Sequence, residues 1–444
     1  MVERPIVVVL AAGQSTRMKS RLSKVLHPVG GLPVLGHILT TALSLEPQKI
    51  IVVHGPEGAE VAEFAKNYSD KIVCCEQVDR LGTAHAALMA EKEIGDSDAP
   101  ILVMLGDAPL VEATQLKESL QKITEGAGMC VIGFEAHNPH GYGRMVMDGE
   151  RLVSIVEEKD TNDDNKKITF CNSGVMAFDG AHFIKILKQI GNDNAQKEYY
   201  LPDAVIECQK NGLDVVTTSA AEEAFLGIND RTQLAAAEAI FQKRKRLEIM
   251  QQGVTIVAPD TVFFAYDTCI GQDSYIEPHV VFGTGVKIGE NVKILAHSHI
   301  EQASIGDKSN IGPFARLRPG TELGAGVKVG NFVETKKAQV HAGAKINHLS
   351  YIGDAEVGEK ANIGAGTITC NYDGFNKHKT LIGKEAFIGS NSSLVAPVEI
   401  EEGAYVGSGS VITKKVPKNA LAFTRASFRV VEGWAERFRK KFSK

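Results

Sequence analysis

The chain has 444 residues and a formal net charge of −5, with 43% hydrophobic and 23% charged residues. That is enough apolar material for two or three folded domains and too much for a disordered chain. The acidic balance argues against a nucleic-acid surface, which draws on clustered Lys and Arg, and no apolar run approaches the ~20 residues of a membrane helix.

The apolar stretch from Ile6 to Ala12 has only seven residues, and Glu3 offsets Arg4 before it. It reads as a buried strand and not as a signal peptide. Residues 5–10, 49–54, 71–75 and 101–105 are short β-rich runs, with helical stretches at 37–45, 57–68 and 83–93 between them. This alternation over residues 1–228 predicts a mostly parallel sheet with helices on both faces. Ligands then sit beyond the carboxyl ends of the strands, past Leu10, Cys75 and Leu105. The seven cysteines are scattered, odd in number and without a CxxC pair, so reduced cytoplasmic thiols are expected rather than disulfides or zinc.

Residues 230–252 read as a linking helix. Ala236, Ala237, Ile240, Leu247 and Met250 form a partial stripe, Asp230 or Thr232 is a candidate cap, and Lys243 to Arg246 read as a solvated face. From residue 254 a period of six takes over. Apolar residues fall at Ile270, Ile276, Phe282, Ile288, Ile294 and Ile300, resume one residue early at Ile305, and continue with interruptions to Ile412. Most are followed directly by Gly. Such hexads predict a parallel β-helix, three hexads to a coil, with the aliphatic residue pointing inward. The break over residues 370–380 is an insertion, a common place for binding. The expected domains are 1–229, the linking helix 230–252, and a β-helix with a tail over 253–444.

The loop Leu10-Ala11-Ala12-Gly13 is neither a dinucleotide fingerprint nor a Walker loop. Its small residues allow backbone N–H groups close to a ligand, and Arg17 and Lys24 add phosphate-complementary charge; the bland alternative is a strand exit with two solvated cations. Asp107 ends a strand and is either a Mg²⁺ ligand or a turn residue. His348 sits one coil from Glu334 and Lys336, which makes it a candidate general base, or else a solvated surface histidine.

These residues resemble one family. The loop from Leu10 through Thr16-Arg17-Met18, Leu81-Gly82-Thr83-Ala84-His85, Gly106-Asp107 and Gly141-Tyr142-Gly143-Arg144 carry the first half of the resemblance. The strings from Ile311 to Gly320, Val329 to Glu334 and Asn362 to Gly374 carry the second. Together, to about Trp434, they resemble the bifunctional N-acetylglucosamine-1-phosphate uridyltransferases/glucosamine-1-phosphate acetyltransferases.

The resemblance implies a Rossmann-like α/β nucleotidyltransferase domain followed by a left-handed parallel β-helix. It implies Leu10, Ala11, Ala12, Gly13, the catalytic Arg17 and Lys24 at the nucleotide phosphates, and Gln77, Gly82 and Thr83 at the uracil. Gly143, Glu157 and Asn172 would hold the amino sugar, and Asp107 and Asn229 would carry Mg²⁺. In the second half Arg318 and Lys336 would grip the sugar phosphate, with Tyr351 and Asn362 on the sugar. His348 would be the base and Glu334 would orient it. Ala365, Asn371, Tyr372, Ser390, Ser408 and Arg425 would line the acetyl-CoA site. UTP and acetyl-CoA are the implied co-substrates, and a cytoplasmic homotrimer the implied assembly, with no nucleic-acid or membrane partner.

Two other classes stay open on the residues alone. One is a single-activity sugar-nucleotide pyrophosphorylase whose β-helix only assembles it. The other is a metal-binding hexapeptide protein using surface histidines, of which only His297 and His299 lie close in sequence. The insertion is expected to project without a partner in its own chain, so that a site forms between neighbouring prisms.

Overall fold

A computed structural model describes residues 4–442. Contacts divide the chain into two units, up to Gln242 and from Lys243 onward.

The first unit is built on a nine-stranded sheet. Its chain-order strands are β1 (Ile6–Ala11), β2 (Lys49–His54), β3 (Ile72–Glu76), β4 (Ile101–Leu105), β5 (Met129–Glu135), β6 (Arg144–Asp148), β7 (Arg151–Val156), β8 (Phe170–Phe178) and β9 (Val215–Ser219). The main path runs β9-β5-β8-β4-β1-β2-β3. β1 pairs in parallel with β2 and β4, and β2 with β3, while β8 is antiparallel to β4 and β5. β1 is continuously apolar because both its faces are covered. Val7 and Val9 enter one core and Ile6 and Val8 the other. Helix α1 (Val34–Leu43) and helix α2 (Ala59–Lys66) follow β1 and β2; the stretch expected as one helix after β3 is two short ones, α3 (Thr83–Leu88) and α4 (Glu91–Ile94).

Helix Arg231–Gln251 carries the division between the units. Asp230 caps it, its carboxylate accepting from the N–H groups of Thr232 and Gln233 at 2.9 Å each. Two expectations for this helix are corrected. Lys245 and Arg246 are buried, and Arg246 Nε donates to Val262 O at 2.9 Å, so half of the charge run is not solvated. Leu247 is exposed and Ile249 is buried in its place, because the stripe follows the packing of the helix's second half.

The second unit is the expected parallel β-helix. One sheet of ten short strands forms one face. A second, of 14 strands, wraps two faces, since Glu334–Val340 and Tyr351–Val357 run through a corner. Tyr275 pairs with Lys293 and Lys345 with Asn362, so a coil is 18 or 17 residues. Every apolar hexad position from Ile270 to Ile412 named above lies in a single continuous core. Thr335 and Thr369 are fully buried where the apolar pattern lapses. The glycines after the aliphatic residues have a steric cause. A Cβ on Gly271 would lie 2.6 Å from the Gly289 backbone, and one on Gly383 2.5 Å from Glu402 N, so the next coil leaves no room for a side chain. The parallel pairing and hexad period are consistent with the left-handed sense.

Candidate active sites

In the first unit, a cleft lies past the carboxyl ends of the parallel strands. Its two lobes share Leu10, Thr83, Leu105 and Asp107. One is lined also by Ala11, Ala12, Gly13, Lys24, Gln77 and Gly82, the other by Gly143, Glu157, Asn172 and Asn229. Arg17 stands apart. It is exposed, on the turn Thr16–Met18 whose Met18 is buried, and lines neither lobe. The Thr232 hydroxyl, then the Gln233 N–H, and in smaller part Arg17, hold the Asp230 carboxyl below its usual range.

Lys24 organises the floor of the cleft. Its ammonium contacts the Asp107 carboxylate and lies 2.9 Å from Asn229 Oδ1. Its own N–H donates to Ser15 Oγ at 3.0 Å. Asp107 Oδ1 is buried without a partner. Asp107 and Asn229 therefore offer hard oxygens at one point, next to an orphaned acceptor. Among the described residues no cluster of three or more His, Cys, Asp or Glu is placed to hold a metal ion. Mg²⁺ suits such a sparse site, because it takes one or two protein oxygens and completes its shell from phosphates and water.

Gln77, Gly82 and Thr83 are held together at one end of the first lobe. Gln77 is buried and its Nε2 donates to Gly82 O at 3.2 Å. Gly82 has a φ of +114°, and a Cβ there would stand 2.5 Å from Tyr199 O, so only glycine fits. Thr83 Oγ1 accepts from Leu201 N at 2.9 Å.

At the other lobe Gly143 backs onto Glu157, where a Cβ would lie 3.0 Å from Glu157 Oε1. Burial, reinforced by Asp203 and Asp160, pushes the Glu157 carboxyl up to about 7. Asn172 N donates to Gly143 O at 2.8 Å, and Asn172 Oδ1 accepts from Gly174 N at 3.0 Å. Arg144 is buried behind this lobe without lining it, and had no expected role. It is 2% exposed, sits 2.8 Å from the Glu158 carboxylate, contacts Tyr142 O, and opposes the rise of Glu157. Its signal was the Gly-Tyr-Gly-Arg string, not its residue type.

In the second unit His348 lies at a corner, one coil above Asn331. His348 Nδ1 and Asn331 Oδ1 are 2.7 Å apart. With the amide oxygen as acceptor, the proton sits on Nδ1 and Nε2 keeps its lone pair. Asn331 was missed, although the 17-residue spacing points to it. Glu334 does not touch His348 as expected. Its carboxylate is 2.7 Å from Arg318 Nη1, because it lies past the corner, on the face that carries Arg318.

From His348 an edge of the prism continues coil by coil. Gly366 N donates to His348 O at 3.3 Å, Asn391 N to Ala365 O at 2.7 Å, and Gly409 N to Ser390 O at 2.8 Å. Ala365, Ser390 and Ser408 thus occupy equivalent corner positions, and Arg425 lies over the Phe423 ring, 5.7 Å from its centroid. Ala365 is half-buried, and Ser390, Ser408 and Arg425 are exposed.

Arg318, Lys336 and Tyr351 share one face. Asn362 lies on the other sheet and is not brought to them within one chain. The insertion carries Asn371 and Tyr372 and is held to its own chain, contrary to expectation. Asn371 Nδ2 donates to Asp354 at 2.5 Å. The Lys377 side chain, and beyond it Arg318, hold the Lys336 ammonium below its usual range, so three cations gather on this face. Lys377 was missed because its loop lies outside the hexad register. Within that loop the Asn376 N–H, His378 and the Phe375 N–H hold the Asp373 carboxyl down at about 2.

Residues 7–166 match the model of the MobA-like NTP transferase domain, and residues 267–302 and 379–414 that of the six-repeat bacterial transferase hexapeptide. The bifunctional protein GlmU of Bradyrhizobium sp. (strain ORS 278) is 51% identical over 434 residues, 98% of this chain and 97% of that protein. The bifunctional protein GlmU of Paramagnetospirillum magneticum is 48% identical over 435 residues, 98% and 96% of the two chains. That of Bartonella quintana (strain Toulouse) is 46% identical over 440 residues, 98% and 97%.

Proposed function

The chain belongs to the family of bifunctional GlmU proteins, and from that premise we propose that it makes UDP-N-acetylglucosamine on two separate sites. The β-helix acetylates glucosamine-1-phosphate with acetyl-CoA. The α/β unit then transfers uridylate from UTP to N-acetylglucosamine-1-phosphate and releases pyrophosphate. The observation that carries the reading is the meeting of Lys24, Asp107 and Asn229 on the floor of a cleft bordered by the loop from Leu10 to Gly13.

Uridyl transfer asks for no protein nucleophile. A sugar-phosphate oxygen attacks the α-phosphorus and the bond to pyrophosphate breaks, so anions must be held together and in line. Asp107 and Asn229 would hold Mg²⁺, which when bound supplies positive charge to the phosphate oxygens. Lys24 neutralises at the same point, and the exposed Arg17 is free to swing onto the phosphates. Gln77, Gly82 and Thr83 bind the base, and Gly143, Glu157 and Asn172 the amino sugar.

Acetyl transfer needs a neutral amine. His348 Nε2 takes the amine proton as the nitrogen attacks the thioester carbon and the thiolate leaves. Asn331 holds the imidazole in the required tautomer, the part that a third residue plays in a catalytic triad. Arg318, Lys336 and Lys377 grip the sugar phosphate, while Glu334 orients Arg318. Acetyl-CoA lies along the track of Ala365, Ser390, Ser408 and Arg425.

The separation of Asn362 from Tyr351, and of Asn371 from the His348 edge, supports a homotrimer with acetyl-transfer sites shared between chains. The same reading keeps the enzyme in the cytoplasm with its co-substrates. Assaying the full chain for each reaction tests it. A divalent-metal chelator is expected to stop uridyl transfer and spare acetyl transfer; a metal-independent uridyl transfer would defeat the Asp107–Asn229 assignment. Light scattering is expected to give a mass near three times 47.8 kDa. Mixing His348→Ala with Asn371→Ala is expected to restore some acetyl transfer, and its failure would return both residues to one chain's site.

A further inference from the structure

Three βα loops meet beside the phosphate lobe of the cleft, following the adjacent parallel strands β1, β2 and β3. Arg80 belongs to the third. Its Nε donates to Ala12 O, on the first loop, at 2.8 Å. Its Nη2 pairs with the Glu57 carboxylate on the second. Gly55, also on the second loop, leaves the space that the guanidinium fills: a Cβ there would lie 2.4 Å from Arg80 Nη2 and 3.1 Å from Ala12 O. The Arg80 side chain is 24% exposed and that of Glu57 76%, so the strap closes over the loops from outside. Arg80 lines both the phosphate lobe and the hollow behind the loop.

We infer that Arg80 is a positioning residue for UTP, lacing the segment that reads the base to the loop that receives the phosphates. In a trans peptide the carbonyl and the following N–H point in opposite directions. Holding the Ala12 carbonyl therefore fixes the direction of the Gly13 N–H, a backbone donor at the phosphate end. The same side chain is anchored three residues beyond Gln77 and two before Gly82, which line the same lobe. Base recognition and phosphate recognition are thereby held in register. The fork of Arg reaches a carbonyl and a carboxylate at once, whereas a Lys ammonium is a single point charge. Arg80 acts through Ala12 and not on the reacting atoms.

The inference rests on the uridyl-transfer reading, and the experiment separates the two. In the full chain, Arg80→Ala is expected to raise KM for UTP about tenfold, with KM for N-acetylglucosamine-1-phosphate changed less than about twofold. Acetyl transfer is expected to be unchanged. Arg80→Lys should recover part of the loss. Gly55→Ala keeps the charge but displaces the guanidinium, and should reproduce the rise in KM for UTP. An unchanged KM for UTP in Arg80→Ala, or an equal rise for both substrates, would overturn the inference while leaving the function intact. A wild-type chain without uridyl transfer would overturn the function and the inference with it.

Discussion

Side chains that meet in the two units travel very different distances along the chain. Lys24 finds Asp107 83 residues away and Asn229 205 residues away. In the β-helix His348 finds Asn331 17 residues away, and Arg318 finds Glu334 16 away. The first site is an assembly of loops from separate strands, closed within one chain. The second is a ladder of equivalent corners, open along one edge. A cleft built from one chain's loops can surround its ligand by itself, whereas an open edge would need a second wall, which the proposed trimer would supply. The contrast teaches that damage should stay local in both units, and that only the second should depend on assembly.

The sharpest test of that contrast is His348→Ala. It removes the only proton acceptor proposed for the amine, so acetyl transfer should fall by about three orders of magnitude or more, and uridyl transfer should stay within about twofold. Separate assays of the two reactions on the same preparation would show it, and a parallel loss would break the two-site account.

Lys24→Ala should produce the converse. Removing a cation that lies against Asp107 and Asn229 is expected to lower uridyl-transfer kcat about 10²- to 10³-fold, as loss of a charge-stabilising group does elsewhere, and to leave acetyl transfer alone.

A smaller effect should appear with pH. Glu157 is pushed up to about 7 in the folded chain from its ordinary value of 4.5. The folded state then holds the proton more tightly than the unfolded one, so this group's stabilising contribution is complete below about 4.5 and is lost as pH rises through about 7. The ionised carboxylate is the stronger acceptor for sugar hydroxyl and amide groups. KM for N-acetylglucosamine-1-phosphate should therefore fall several-fold as pH rises from about 6 to about 8. Glu157→Gln should flatten that profile, and a wild-type profile already flat would remove the role.

Asn331→Ala frees the imidazole without removing it, so its effect should stay well below that of His348→Ala. A roughly tenfold loss in acetyl-transfer kcat is expected, with KM for glucosamine-1-phosphate little changed. A loss as large as that of His348→Ala would show that Asn331 does more than orient.

Much of this was legible beforehand, for reasons that differ between the units. The strand over residues 49–54 was read with its observed limits, because a strand buried on both faces must be continuously apolar. The coils were legible because one constraint, the narrow interior, repeats every six residues. Thr335 and Thr321 escaped, since an interior hydroxyl pair 2.9 Å apart satisfies itself where the pattern asks for an aliphatic side chain. Glu334 was assigned to His348 because coil arithmetic brings their backbones near, but the arithmetic does not say that the carboxylate lies on the far side of a corner, against Arg318.

What the sequence by itself determined is therefore periodic: which residues face inward, where glycine must stand because the next coil's backbone occupies the place of a Cβ, and which loops follow the strand ends. What only the tertiary structure decided is non-periodic. Arg144 is buried against Glu158, and Arg80 straps Ala12 to Glu57. A charged side chain reads as solvated in any linear pattern, since transfer from water is costly without partners. Those partners come from distant segments, and only folding brings them within hydrogen-bonding reach.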